Sequence, residues 1–324
     1  MRKLIVFLLV ALLFCTTAYA KKKETKNEAD PKVETNWRKL LPDQEGVAQY
    51  LQDISVTVNV GQGEGSGVVK TITMKKNGQD VKVNFVWTAA HVVDTLRSVE
   101  RVIDSKTGTE RVVVKFEDAH IIKELVENGR RVGELNMLAE VVRYSEKEDL
   151  ALLRIRKTNF VAASVVFHQD EKIPAIGRDV FHVGSLLGQL GSNSMTSGII
   201  SQIGRILPPE KVEFDQTTAT SFPGSSGGGV YTRDGAYVGM VVRGAGEGFN
   251  LIIPVRRMAR WAKRTGVLWA LDDNVPAPTE EELEALSVED NGHTFGSGKK
   301  SDKNFKTLMR IKKPKITYPD HLMD

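Results

Sequence analysis

Cysteine is almost absent from this chain of 324 residues: Cys15 is the only one. It lies inside the sole long apolar run, Leu4 to Phe14, which follows Arg2 and Lys3 and precedes Ala18-Tyr19-Ala20 and three lysines. Charged start, apolar middle and small-residue end, in that order, predict a secretory signal peptide over 1–20, too short to serve as a comfortable bilayer span. Cleavage after Ala20 removes Cys15, which excludes a disulfide and a cysteine nucleophile from the mature protein, although export would permit disulfides. The fold must then be held by its core alone. A strong charge excess is also missing. The formal charge of +4 loses two units with Arg2 and Lys3, so composition points to no nucleic-acid partner. Metal-ligand clusters, cofactor motifs and internal repeats are absent from the sequence as well. With 41% apolar and 27% charged residues the balance is that of an ordinary globular protein with an ample core.

What is present is short, β-branched apolar runs cut by turn residues: "SVTVNV", "VKVNFVWT", "ERVVVKF", "LALLRI", "GIISQIG", "AYVGMVV" and "FNLIIPV", with turn signals at Asn77-Gly78 and Asp234-Gly235. These predict strands of an all-β domain of roughly 200 residues. One run, Asp118 to Asn128, reads as a helical insertion. From Pro254 the period changes: Val255, Met258, Ala259 and Ala262 fall at helical spacing and predict a helix that closes the domain. The flanks are polar: an arm over 21–50, and a tail over 269–324 that opens with a capping box at Thr279 and Glu282. Residues 299–315 of that tail carry eight basic residues and one acidic one, a partly disordered segment suited to contact with an acidic surface.

The stretch "FPGSSGGGV", Phe222 to Val230, is no linker, because "VYTRDGAYVGMVV" follows it directly as an apolar hairpin. Its Gly-x-Ser-x-Gly spacing fits a nucleophile elbow, but a strand follows where an elbow needs a helix, and the later histidines, His293 and His321, lie in the polar tail. A serine hydroxyl needs a base, and the base an orienting group. His120 falls in the expected insertion, His168 in a polar segment, and His182 in an apolar run that reads as a satisfied core histidine. His91 ends "VNFVWTAAHVV", at a strand end beside two alanines that leave its ring accessible. Asp149 opens the apolar strand "LALLRI", where its charge must find a partner. Asp94, three residues after His91, is the rival and reads as a surface or capping residue. The order His91, Asp149, Ser226 is that of the chymotrypsin-type proteases.

With these residues in place, the sequence resembles the trypsin-like protease domain of the HtrA/Deg family over roughly residues 50 to 268. "GEGSGVV" (63–69) resembles its first barrel strand, "WTAAHVVD" its histidine motif and "SEKEDLALLRI" its aspartate motif. "VGSLLGQLGSNSMTSGIISQIGR" resembles the segment ending in Thr-Ser-Gly-Ile-x-Ser, "PGSSGGGV" the serine motif and "GFNLIIPV" the last strand. The resemblance implies two six-stranded antiparallel β-barrels of chymotrypsin type, over 51–160 and 161–268, the second ending in the closing helix. It implies a catalytic triad of His91, Asp149 and Ser226, and an oxyanion hole from the amides of Gly224 and Ser226. The pocket for the residue before the scissile bond would be walled by 219–222 and 241–244. There, with Gly244 in the wall, Thr220 and Val241 favour a small or aliphatic side chain, or Arg243 an acidic one. An exported serine endopeptidase acting on unfolded or misfolded polypeptides is implied, without cofactor or metal, and the family's common trimeric assembly through N-terminal segments makes a homotrimer the implied oligomer. The second reading is a binding or scaffold protein on an inactive trypsin fold. Three departures stand out: Ser225 where the family has asparagine, "GSLLG" in place of a Gly-Asn-Pro segment, and a long stretch between His91 and Asp149. The 269–324 tail is too polar for the PDZ domain that usually follows.

Overall fold

The computed structural model describes residues 40–290 apart from 44–45, 77, 104–107, 128, 170–173, 208–210, 245 and 247. The expected signal peptide, most of the arm and the basic part of the tail lie outside the described residues. Six strands close the first barrel: β1 (Ser55–Asn59), β2 (Glu64–Lys76), β3 (Gln79–Thr88), β6 (Ala119–Glu127), β7 (Arg130–Ser145) and β8 (Leu150–Ile155), in the order β1-β2-β3-β8-β7-β6. Six more close the second: β9 (Asp179–Leu186), β10 (Gly191–Leu207), β11 (Val212–Thr217), β12 (Gly229–Thr232), β13 (Tyr237–Gly244) and β14 (Asn250–Pro254), in the order β10-β11-β14-β13-β12-β9. All barrel pairings are antiparallel. The expected fold class is therefore observed.

The expected helical insertion is corrected: its residues 119–127 form the strand β6, not a helix. Ile121 pairs with Val58 on one side and Met137 on the other. Its apolar residues satisfy either period locally, and pairing on both edges decides for the strand. The extra length between His91 and Asp149 is a separate two-stranded ribbon, β4 (Arg97–Ile103) with β5 (Glu110–Phe116), that stands outside both barrels.

A short helix, α1 (Val47–Asp53), buries Val47 and Leu51, so the end of the expected arm is packed rather than extended. The closing helix α3 (Val255–Thr265) follows α2 (Ala90–Val93) in the chain, and ends at Gly266, whose positive φ lets the Val267 amide return to the Ala262 carbonyl at 2.9 Å. Its Trp261 meets Trp87 of β3 edge to face, ring centroids 5.9 Å apart. Each fully buried large side chain of this kind contributes on the order of 1.5–3 kcal/mol.

Residues 269–290 also belong to the packed body, which moves the start of the tail. Trp269 packs edge-on against Phe85 at 4.7 Å, and Trp87 Nε1 donates to the Ala270 carbonyl at 3.0 Å. The buried Lys70 pairs with Asp273 at 2.5 Å. The expected capping box at Thr279 and Glu282 is formed at the start of α4 (Glu280–Glu284), which buries Leu283. The chain then pairs with β7, the Tyr144 amide donating to Val288 and the Asp290 amide to Tyr144. Alternate small and polar residues hide this packing from a composition count.

Candidate active site

His91 sits where β3 ends and α2 begins. Ala89 and Ala90 are fully buried there, so the chain turns tightly while the His91 side chain keeps 48% of its surface exposed. Nδ1 of His91 lies 2.9 and 3.0 Å from the two carboxylate oxygens of Asp149, and the His91 amide donates to Oδ1 at 3.1 Å. That arrangement fixes the ring's direction and leaves Nε2 free to face a reacting group. Asp149 itself has φ +55°, a left-handed conformation that is costly for a residue with a side chain. Its rival Asp94 accepts from the Tyr144 hydroxyl at 2.8 Å. Burial and the Asp94 carboxylate push the Tyr144 phenol up from its ordinary range.

Ser226 lies just before β12. Gly224 and Gly227 on either side have φ +93° and +90°. A Cβ on Gly227 would collide with the Ser66 carbonyl and Thr88 Oγ1, and one on Gly224 with the Ser185 carbonyl and the Gly188 amide. The glycines are therefore required both by conformation and by close approach. Among the described residues, the amides of Gly224 and Ser226 meet no main-chain acceptor. Ser225 replaces the family's asparagine with a local lock: its hydroxyl accepts the Phe222 amide at 3.1 Å, and its own amide donates to the Phe222 carbonyl at 2.9 Å. The "GSLLG" segment comes up beside this loop, with the Leu187 amide donating to Pro223 at 2.8 Å.

Ser66 of β2, fully buried, joins the two barrels at this point. Its hydroxyl donates to the Gly224 carbonyl and accepts the Ser185 amide, both at 2.7 Å, and its amide donates to the Ser226 carbonyl at 2.7 Å. The Ser226 hydroxyl points to the Val242 carbonyl at 3.4 Å, and among the described residues no hydrogen bond joins it to His91.

A cavity of about 460 Å³ opens beside Ser226, lined by Thr220, Phe222, Val241, Arg243 and Gly244. All four residues expected to contact substrate border it. Asn250, which sequence reasoning missed, is 2% exposed in its wall; its amide group donates to the Ala219 carbonyl at 2.7 Å and its oxygen lies 2.6 Å from the Ser221 hydroxyl. A neighbouring cavity of about 400 Å³ is lined by His91, Asp149, Phe214, Val242, Arg243 and Arg257. Arg243 thus borders both, its guanidinium 5.8 Å from the Phe214 ring centre.

The other histidines stand apart. His120 is exposed on β6 beside Asn136. His182 is wholly buried under the serine loop: its Nδ1 lies 2.9 Å from the Gly229 carbonyl, which makes it the donor, while Nε2 has no partner among the described residues. Only half of the expected satisfaction is met, and burial pulls this imidazole down to about 4.

The family description "Trypsin-like peptidase domain" matches residues 65–240, more than half of the chain. This chain belongs to the trypsin-like peptidase family. Within it, the chain is similar to a probable periplasmic serine endoprotease DegP-like of Halomonas elongata, 30% identical over 48% of this chain and 26% of that protein. It is also similar to the serine endoprotease DegS of Haemophilus influenzae, 26% identical over 57% of this chain and 60% of that one. Among solved structures, the serine endoprotease from Yersinia pestis shares 22% identity at a TM-score of 0.47, covering 70% of this chain and 67% of its own. The alignments with these two curated relatives span from about a quarter to three fifths of the relatives' length. For a trypsin-like peptidase, the residues that sequence reasoning missed are Ser66, Asn250 and Arg257. Ser66 and Asn250 do stand inside the motifs "GEGSGVV" and "GFNLIIPV", but nothing local marks their partners, which lie 158 and 31 residues away.

Proposed function

We propose that this protein is an exported serine endopeptidase that cleaves polypeptides through an acyl-enzyme. Ser226 Oγ attacks the carbonyl carbon. His91 Nε2 takes its proton and returns it to the leaving amine, and Asp149 holds the ring and stabilises the imidazolium. The amides of Gly224 and Ser226 receive the oxyanion; one such donor contributes about 3 kcal/mol to lowering the barrier. Water then repeats the sequence on the acyl-enzyme. The observation that carries this reading is the two-oxygen contact of Asp149 with His91 Nδ1, together with a serine loop whose Gly224 and Ser226 amides meet no main-chain acceptor among the described residues. The Ser226 hydroxyl must turn from the Val242 carbonyl toward His91 when substrate enters, a tightening common in ligand-free sites.

The cavity wall of Thr220, Val241 and Gly244 suits a small or aliphatic residue before the scissile bond. A peptide-library profile led by glutamate or aspartate would instead assign that role to Arg243. Unfolded polypeptides are the proposed substrates, in a periplasmic or secreted setting, and homotrimeric assembly through the N-terminal arm is the proposed oligomer. The test is hydrolysis of casein beside a simple ester. Cleavage of casein that is lost in Ser226→Ala and His91→Ala supports the endopeptidase. Ester turnover alone assigns an esterase, and neither activity on a folded protein assigns a binding protein on an inactive fold, which the unjoined Ser226 and His91 would suit.

A further inference from the structure

We propose that Arg257 is a positioning residue for the reaction: it holds the Glu148–Asp149 peptide of the first barrel in register with the second barrel, and so sets Asp149 against His91. The inference rests on the serine-peptidase reading above. Arg257 projects from α3, is 3% exposed, and spends its guanidinium across the seam between the barrels. Nη2 donates to the Glu148 carbonyl at 2.9 Å and Nε to the Glu148 carboxylate at 3.0 Å, both on the first barrel. Nη1 donates to the Glu213 carbonyl of β11 at 3.2 Å, and the guanidinium sits 4.9 Å from the Phe214 ring centre, both on the second.

Three observations make this more than a buried ion pair. The Glu148 carbonyl belongs to the peptide that leads into Asp149, the residue with φ +55°, so the clamp acts on a conformation that needs external support. The side chain also lines the cavity that His91 and Asp149 line. Finally, the other arginines of α3 do different work: Arg256 and Arg260 pair with carboxylates of β11, and Arg264 with Glu148 and Asp290, none donating to a main-chain carbonyl among the described residues. Arg257 and Glu148 cancel each other's charge locally, so the effect on Asp149 is geometric. A planar fork with several fixed donors does this; an ammonium does not.

The test compares Arg257→Met, Arg257→Lys and the control Arg260→Ala. The readouts are kcat and KM on a peptide substrate, the pH profile of kcat/KM, and the low-field proton resonance of His91 Nδ1–H. We expect Arg257→Met to lose about 100-fold in kcat, the scale of a small misplacement in a catalytic group, with KM within about twofold. Arg257→Lys keeps the charge and shares most of the loss, the acid limb of its profile moves to lower pH, and the low-field resonance broadens or vanishes in both. Arg260→Ala matches the wild type. Should Arg257→Met fail to fold, Arg257→Lys carries the test. A wild-type kcat together with an intact resonance in Arg257→Lys would overturn the proposal. If the wild type itself turns over no substrate, the peptidase reading fails, while the resonance still reports whether Arg257 positions the His91–Asp149 pair.

Discussion

On the first barrel, His91 and Asp149 are held by side chains: a carboxylate on an imidazole, and behind it the Arg257 fork on Glu148. On the second, the Ser226 loop is held by main-chain bonds and by glycines that admit a neighbouring strand, with the Ser66 and Ser225 hydroxyls as its polar pins. The first half is already closed. The second half is placed, but its hydroxyl rests on Val242 and awaits a partner. In the proposed mechanism the first side orients the base, and the second offers the Gly224 and Ser226 amides, which meet no main-chain acceptor among the described residues, to the transition state. Damage to each half should therefore look different.

The largest effect comes from removing the proposed nucleophile of the second half or the carboxylate that orients the imidazole of the first. Ser226→Ala and Asp149→Asn should each lower kcat by about 10⁴-fold or more with little change in melting temperature, as steady-state kinetics and calorimetry would show. Gly227→Ala should act on the second half through the backbone. Its positive φ and the collision with Ser66 and Thr88 predict a stability loss of about 3 kcal/mol or more by urea denaturation, with activity lost in the folded fraction.

Acid should also strike the second half. The folded His182 imidazole is pulled down to about 4 by burial, against an ordinary 6.5, so the unfolded chain binds the extra proton between those values. Stability is then complete above pH 6.5 and declines as pH falls toward 4, by about 3 kcal/mol in total. Urea denaturation at pH 7 and pH 4.5 should show a smaller pH difference in His182→Asn, whose amide can still donate to Gly229. The smallest effect is expected for Ser66→Ala, which strands the buried Ser185 amide and frees the Gly224 carbonyl. About 1–3 kcal/mol of stability should be lost, with an accompanying fall in labelling of Ser226 by a fluorophosphonate.

The same division explains what the sequence could reveal. His91, Asp149 and Ser226 stand in short motifs whose small residues and apolar runs are local, so the sequence alone singles them out as candidates. The glycines around Ser226 were readable for the same reason. The strand at 119–127 was not, because Ile121, Ile122, Leu125 and Val126 satisfy a helical face as well as a strand, and only pairing with β1 and β7 decides. Residues 269–290 read as tail in the sequence because Trp269, Leu283 and Val288 are scattered among acidic and proline residues. Arg257 reads in the sequence as one basic residue among five on a helix. Its meaning lies in contacts 109 residues away at Glu148, beyond the reach of any local pattern.

The most direct measurement is fluorophosphonate labelling of the folded protein, with the adduct located by mass spectrometry and Ser226→Ala and His91→Ala beside it. A single adduct on Ser226 that disappears in both variants is the predicted result, since it needs nucleophile, base and oxyanion amides together. An unlabelled Ser226 on protein that is folded and monodisperse would contradict the account.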